Sequence, residues 1–181
     1  GGCSVSSWLT KVHVTASPGP AFTVAVRCAR STVEAPTTSS WSEQVMDWRD
    51  EPERGCSRGC HYCVMRRTTN GGMRTVPPER VLELIPSTAK RVGLVGAAVT
   101  DHPRIVELLE TIVNAGREVG VSALRAGRLS LRLVQALKKG GAQGLTVASD
   151  GPSQKLRDLV DRKHSEAQIV NAAKLAKEAG L

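Results

Sequence analysis

Three cysteines lie within eight consecutive positions of this sequence, at Cys56, Cys60 and Cys63. The chain has five cysteines in all, and the other two, Cys3 and Cys28, show no comparable spacing. A thiol can form a disulfide, attack an electrophile or bind a metal, and clustered thiols in a reducing compartment are most often catalysts or metal ligands. The spacing C-x3-C-x2-C therefore predicts a site for a metal ion or a metal cluster.

The number of thiols limits the kind of metal site. Structural zinc takes four ligands, usually as two pairs, and the sequence has one C-x2-C pair. His102 is a better fourth ligand than His61, which lies between two of the cysteines, so a zinc-stabilised interaction module remains one interpretation. An iron-sulfur electron carrier is another, and it would also need a fourth protein ligand such as His102. Three thiolates alone suit a 4Fe-4S cluster that keeps one iron open for a small molecule.

The cysteine segment RGCSRGCHYCVM, residues 54–65, resembles the cluster-binding loop of the radical S-adenosylmethionine superfamily, C-x3-C-x-aromatic-C. Tyr62 occupies the aromatic position. In that family S-adenosylmethionine chelates the open iron, and the reduced cluster cleaves its sulfonium to give a 5'-deoxyadenosyl radical. The resemblance implies that Cys56, Cys60 and Cys63 bind a 4Fe-4S cluster. It also implies an enzyme that starts radical chemistry on an unknown substrate and takes electrons from a donor such as a flavodoxin or ferredoxin.

Downstream segments extend this resemblance over residues 51–181. VGLVGAAVTDHPRIVELL, residues 92–109, is similar to the family's second strand and the loop that meets the methionine part of the cofactor. The usual Gly-Gly-Glu is absent, and Gly96 and Asp101 are the nearest equivalents. Ser122 and Arg125 follow the third predicted strand, where the family often meets the ribose or carboxylate of S-adenosylmethionine. The residues implied to bind the cofactor are Tyr62, Gly96, Asp101, Ser122 and Arg125.

A further segment, LTVASDGPSQKLRDLVDRKH at residues 145–164, is similar to the fourth-strand motif of the cobalamin-binding branch of the superfamily. Ser149 and Asp150 replace the Pro-Glu of that motif. This similarity implies a relation to that branch and leaves cobalamin open as a further cofactor of the full-length protein. The motif positions that keep the expected residue are Gly151, Ser153, Leu156, Arg157 and Lys163.

The elements that must position these residues are predicted from residue 76 onward. Helices of ten residues or so alternate with short apolar strands, which predicts right-handed βαβ units and a parallel sheet with its functional loops at the carboxyl ends of the strands. The segment VMDWRDEPER, residues 45–54, is too polar to be predicted as a strand. Predicted helices cover 78–88, 103–116, 129–139, 152–161 and 166–179, and predicted strands cover 91–95, 118–122 and 144–148.

The predicted fold class is α/β, as a partial (β/α) barrel that is incomplete at its C-terminal end, because three or four units do not close a barrel. Residues 1–50 are rich in Ser, Thr, Pro and Gly, and we expect a poorly ordered or linker-like segment with one strand at 21–27. Residues 51–181 are expected to form the N-terminal part of the barrel domain. The chain is therefore predicted to be a fragment of a longer enzyme.

Composition limits the partners. The charged fraction is 23%, the hydrophobic fraction is 40%, and no apolar run approaches the ~18 residues that span a bilayer. The net charge of +8 would attract phosphates, but the sequence has only five aromatic residues, and four precede the cysteine loop. Nucleic-acid binding through base stacking is therefore not expected. The N-terminus lacks a secretory signal pattern, which predicts a cytoplasmic location without a membrane partner.

Overall fold

The computed structural model describes residues 11–14, 25–27, 46–68 and 72–181. Cys3, Cys28 and most of residues 1–50, the segment predicted to be poorly ordered, lie outside these ranges, whereas three short strands of that segment lie within them. The described strands are β1 (Lys11–Val14), β2 (Ala25–Arg27), β3 (Trp48–Asp50), β4 (Glu53–Gly55), β5 (Met73–Thr75), β6 (Arg91–Leu94), β7 (Glu118–Val121) and β8 (Leu145–Ala148). The described α-helices are α1 (Met65–Thr68), α2 (Pro78–Leu84), α3 (Ile105–Asn114), α4 (Leu131–Lys139), α5 (Gln154–Leu159) and α6 (Glu166–Glu178).

A parallel sheet with the strand order β3-β6-β7 lies at the centre of the described fold. β8 approaches this sheet through a parallel bridge between Leu124 and Val147. On its other side β8 pairs antiparallel with β1, which in turn pairs antiparallel with β2. Helices connect the parallel strands, so the predicted α/β class with parallel strands is confirmed.

The prediction that residues 45–54 contain no strand was wrong. β3 pairs in parallel with β6, with Trp48 opposite Val92 and Asp50 opposite Leu94. Trp48 packs against the core, whereas Arg49 faces solvent, so one apolar side chain and the backbone pairing are enough for a short edge strand. β3 ends at Asp50, and the cysteine loop therefore begins at the carboxyl edge of the parallel sheet.

The core is formed by the buried faces of α3 and α4 against the sheet. Leu108 and Ile112 of α3 and Leu133 and Val134 of α4 are at most 1% exposed. Burying a side chain of this size stabilises a fold by about 1.5–3 kcal/mol, so these two helices hold the strands and their following loops in place. None of the helices described is long and apolar enough to cross a membrane.

Local signals at the helix ends explain where the predicted boundaries hold and where they fail. α2 ends at Leu84 and not at residue 88, because Ile85 precedes Pro86 and adopts an extended conformation with ψ 116°. The predicted capping box of α6 is present: Gln168 N donates to Ser165 Oγ, and Ser165 N donates to Gln168 Oε1.

Candidate functional site

The cysteine loop leaves a two-stranded ribbon made of β4 and β5. Cys60 is buried, and Cys56 and Cys63 are half-buried. All three are free thiols, and the Cys63 N–H donates to the Cys60 carbonyl at 3.1 Å, which closes the turn of the C-x2-C pair. In the part of the chain that the structure describes, no three His, Cys, Asp or Glu side chains converge on one metal ion. A cubane cluster does not need such convergence, because its thiolates bind separate irons.

Cys56 lies beside a buried ion pair. Arg125 Nη2 donates to Cys56 Sγ at 3.5 Å, while Nη1 of the same guanidinium pairs with the Asp101 carboxylate. Ser57 Oγ also donates to Asp101, at 2.7 Å. Burial lowers the pKa of Arg125, and the charge of Asp101 opposes that effect. Two residues predicted to bind the cofactor, Asp101 and Arg125, are thus brought together at the first cysteine.

Cys60 has a similar neighbour. Arg162 Nη1 lies 3.8 Å from Cys60 Sγ, and Arg162 Nε pairs with the Asp150 carboxylate. Burial acts to lower the pKa of Arg162, but Asp150 and the cysteine outweigh it, so the pKa is raised. Tyr62 is 57% exposed, and its pKa is raised by the loss of hydration and by the nearby Asp150 carboxylate. The phenol of Tyr62 therefore stays neutral beside the second cysteine.

The guanidinium groups that contact sulfur do not belong to the arginines closest to the cysteines in sequence, although the backbone N–H of Arg58 donates to Cys56 Sγ at 3.4 Å. Arg54 pairs with Glu51 in solvent, and Arg58 donates to the carbonyls of Arg162 and Lys163. The side chain of Arg66 lies outside the described residues. The guanidinium groups beside the sulfurs come from distant segments of the chain. Arg125 is 69 residues from Cys56, and Arg162 is 102 residues from Cys60.

A second group forms where β6 and β7 end. Gly96 N donates to Ser122 Oγ at 3.0 Å, and Ser122 Oγ donates to the Gly96 carbonyl at 3.1 Å. This pair of bonds joins two of the residues predicted to bind the cofactor. Ser122 thereby fixes the backbone of the loop after β6, which is where the sequence predicts contact with the methionine part of the cofactor.

Sequence reasoning missed Glu53, whose side chain accepts a hydrogen bond from the backbone of the same loop after β6. Glu53 is 1% exposed, its Oε1 accepts from the Ala98 N–H at 2.7 Å, and its Oε2 has no hydrogen-bond partner among the described residues. Burial raises the pKa of Glu53, although the backbone amides of Ala98 and Ala97 act to lower it. A glutamate in the short strand before a cysteine loop gives no signal of this role, because its partner lies 45 residues away.

Gly96 has no room for a side chain. A methyl group there would overlap the Glu53 carboxylate and lie 3.1 Å from Val99 Cγ2. We expect Gly96→Ala to destabilise the protein by about 1–3 kcal/mol, because either Glu53 or the loop must move. Chemical unfolding checks this result, with the exposed Gly72→Ala as the control because no described residue lies within 4 Å of its Cβ position.

The same clash can be tested by coupling. In a Glu53→Ala background the overlapping carboxylate is gone, so Gly96→Ala should cost less than it does in the wild type. Equal costs in the two backgrounds would show that the glycine is needed for another reason.

His102, the candidate fourth ligand in the zinc and electron-carrier interpretations, already has hydrogen-bond partners at both ring nitrogens. His102 is 3% exposed, and its Nε2 lies 2.9 Å from the Val76 carbonyl. Its Nδ1 accepts from the Arg104 N–H at 3.1 Å. Both ring nitrogens therefore have backbone partners, and His61 makes a 3.1 Å contact with the Leu159 carbonyl through its Nδ1. This arrangement leaves the three thiols as the candidate metal ligands of the loop.

The segment at residues 145–164, which contacts Cys60 through Arg162, contains three non-glycine residues with positive φ. Asp150, Asp161 and Lys163 have φ between 51° and 55°, and they are the described non-glycine residues with positive φ. Buried Arg157 donates to the Gly151 carbonyl at 2.9 Å, which fixes the turn after β8. Left-handed backbone at non-glycine residues costs free energy and concentrates at functional sites. The left-handed residues on either side of Arg162 accompany its contact with Cys60 of the cysteine loop.

Similarity to a known protein family covers residues 51–181 of this chain. The family model of the radical SAM superfamily matches residues 51–181. An uncharacterized protein, MJ0966 of Methanocaldococcus jannaschii, is 31% identical over 137 residues, which are 71% of this chain and 29% of that protein. The chain thus spans less than a third of the length of this relative. The crystal structure of methylornithine synthase (PylB) aligns with a TM-score of 0.44 at 15% identity, over 75% of this chain and 42% of that one.

Proposed function

Because the chain belongs to the radical SAM superfamily, we propose that it carries the cluster-binding part of an enzyme that cleaves S-adenosylmethionine reductively. The observation that carries the proposal is the loop of three free thiols, Cys56, Cys60 and Cys63, at the carboxyl edge of a parallel sheet. Functional groups of parallel α/β folds lie at this edge. The loop offers three ligands to a 4Fe-4S cluster and leaves one iron for the cofactor.

The donors around the loop fit a cluster of this kind. A cubane bound by three thiolates is anionic, and the guanidinium groups of Arg125 and Arg162 place positive charge at two of the sulfurs. When bound, the cluster would supply one electron to the sulfonium of S-adenosylmethionine. The protein side chains hold the cluster and compensate its charge.

The cofactor contacts are proposed from the sequence motifs and from the position of their residues. Hydrogen bonds join Gly96, in the loop after β6, to Ser122, directly after β7. Asp101 lies further along the loop after β6. Tyr62 exposes more than half of its surface beside the cysteines, so it is free to contact a bound molecule. Arg125 uses its guanidinium on Asp101 and Cys56, so its proposed role is at the cluster end of the cofactor.

Several wider features belong to the same proposal. The partial barrel, the division at residue 50, a cytoplasmic location and an electron donor such as a flavodoxin or ferredoxin are inferred from the sequence and the family. Cobalamin depends on the motif at residues 145–164 alone and stays a prediction from sequence similarity. The radical reaction of the whole protein on its substrate is likewise part of the proposal, because this chain covers 29% of its relative.

The proposed function is tested by the response of the cluster to S-adenosylmethionine. We expect the electron paramagnetic resonance spectrum of the reduced full-length protein to change when S-adenosylmethionine is added. An amine and a carboxylate bound to one iron change its ligand field, whereas a molecule held outside the coordination sphere changes it little.

A matched control uses 5'-methylthioadenosine, which lacks the amine and the carboxylate and should leave the spectrum unchanged. Dithionite with S-adenosylmethionine should also release 5'-deoxyadenosine slowly in the absence of substrate. A spectrum that stays the same at saturating S-adenosylmethionine would rule out the proposed function.

A further inference from the structure

Two of the three thiols in the loop belong to a repeated arrangement of side chains. In each, a guanidinium lies between a cysteine sulfur and a carboxylate. Arg125 links Cys56 to Asp101. The second arrangement links Cys60 to Asp150 through Arg162.

The carboxylate of each arrangement is buried. The side chains of Asp101 and Asp150 are 2% and 7% exposed, and those of Arg125 and Arg162 are 7% and 17% exposed. Taking such charges out of water costs several kcal/mol per ion, and the ion pair recovers this cost only with good geometry and further hydrogen bonds. A buried pair is therefore weak support for a purely stabilising role. The shared feature, a guanidinium that also reaches sulfur, suggests an electrostatic role.

The charged residues come from four different loops. Asp101 ends the short 3-10 turn that follows β6, and Arg125 follows β7. Asp150 is the second residue after β8, and Arg162 follows α5. These loops thus bring two cations against the cysteine loop, each paired with its own anion.

Charged groups in such an arrangement change the reduction potential of a bound iron-sulfur cluster. Hydrogen bonds to the sulfurs and the net charge of the surroundings are among the factors that set the reduction potential of an iron-sulfur cluster. Reduction adds one negative charge, so a nearby guanidinium stabilises the reduced form and raises the potential. A carboxylate behind the guanidinium has the opposite effect, because it compensates part of the positive charge.

We propose that Arg125 and Arg162 raise the reduction potential of the cluster through Cys56 and Cys60, and that Asp101 and Asp150 limit this rise. The carboxylates thereby keep the cluster a strong reductant, which cleavage of a sulfonium requires, while the arginines hold the anionic cluster in its loop. These four are positioning residues that act through the thiols. The inference rests on the proposed function, because it presupposes a bound cluster.

The test is a redox titration of the reconstituted full-length protein without S-adenosylmethionine, followed by electron paramagnetic resonance. Arg125→Gln and Arg162→Gln should each lower the ratio of reduced to oxidised cluster about tenfold at a fixed potential, which corresponds to 59 mV for a one-electron couple. Asp101→Asn and Asp150→Asn should shift the midpoint in the opposite direction. A structural role alone gives no reason for this reversal of sign.

Two control variants remove a cation that makes no described contact with sulfur. Arg128 lies 3.4 Å from Asp101 but its side chain is 57% exposed, and Lys155 is exposed on α5. Arg128→Gln and Lys155→Gln should leave the midpoint nearly unchanged, because solvent screens exposed charges. If a glutamine variant at Arg125 or Arg162 does not retain the cluster, the lysine variant keeps the charge and should show a smaller downward shift.

The outcomes separate this inference from the proposed function. Midpoints that do not move, that move in the same direction for the Arg and Asp variants, or that move equally in the controls would overturn the inference. A wild-type protein that assembles no cluster would instead overturn the proposed function.

Discussion

Replacing Cys56, Cys60 or Cys63 by alanine is expected to abolish cluster binding, so that anaerobically reconstituted protein retains almost no iron. The wild type should hold about four irons and four sulfides per chain. A cubane with an iron already open to the cofactor depends on its three thiolates, and both histidines near the loop make contacts with backbone carbonyls. Iron and sulfide assays, together with the brown absorbance of the cluster, check the result.

Cysteines outside the loop supply the controls for this prediction. Cys3→Ala and Cys28→Ala should retain the iron content of the wild type, because the sequence places neither at the spacing of a cluster ligand. Loss of as much iron in either control as in the loop variants would show that the ligands are assigned incorrectly. Colour that persists unchanged in air would also count against a cluster with an open iron.

Spacing and periodicity predicted the parts of the molecule whose signals are local. The cysteine loop needs no partner to be recognised, and the apolar faces of α3 and α4 follow from the repeat of leucine, isoleucine and valine. The capping box at Ser165 and Gln168 is equally local, since both residues lie within one helical turn. These features could be predicted because the residues that determine them are close in sequence.

The features that sequence reasoning missed depend on partners far along the chain. β3 forms because β6 offers it backbone hydrogen bonds, and a polar three-residue strand carries little sign of this pairing. Arg162 reaches Cys60 across 102 residues, and only the fold brings the loop after α5 against the cysteines. Arg54 and Arg58 are much closer to the cysteines in sequence, but their side chains have other partners.

Glu53 was missed for the same reason, because its partner Ala98 lies 45 residues away in sequence. Its replacement is expected to have the second large effect, on the stability of the fold. Glu53→Ala should lower the free energy of unfolding by about 2–4 kcal/mol, because it leaves the Ala98 N–H without its acceptor and opens a cavity under the loop after β6. Glu53→Gln keeps the shape and an acceptor oxygen, so it should cost far less. Denaturant unfolding at several pH values measures both variants.

The exposed Glu83→Ala provides the matched control, since Glu83 pairs with Arg80 in solvent and should change stability by no more than about 0.5 kcal/mol. An alanine variant of Glu53 with the stability of this control would mean that the carboxyl group does not support the loop.

The pH dependence gives an independent check on Glu53, because burial raises its pKa in the folded protein above the ordinary value of 4.5. The folded state then binds the proton more tightly than the unfolded state does. The resulting stabilisation is complete below pH 4.5 and is lost as the pH rises through the folded-state pKa. Glu53→Gln cannot lose a proton, so its stability relative to the wild type should increase as the pH is raised from about 4 to 7. A difference between the two proteins that stays constant over this range would show that the pKa of Glu53 is the same in the folded and unfolded states. A relative stability of Glu53→Gln that falls as the pH rises would show that the amides of Ala97 and Ala98 outweigh the burial of Glu53.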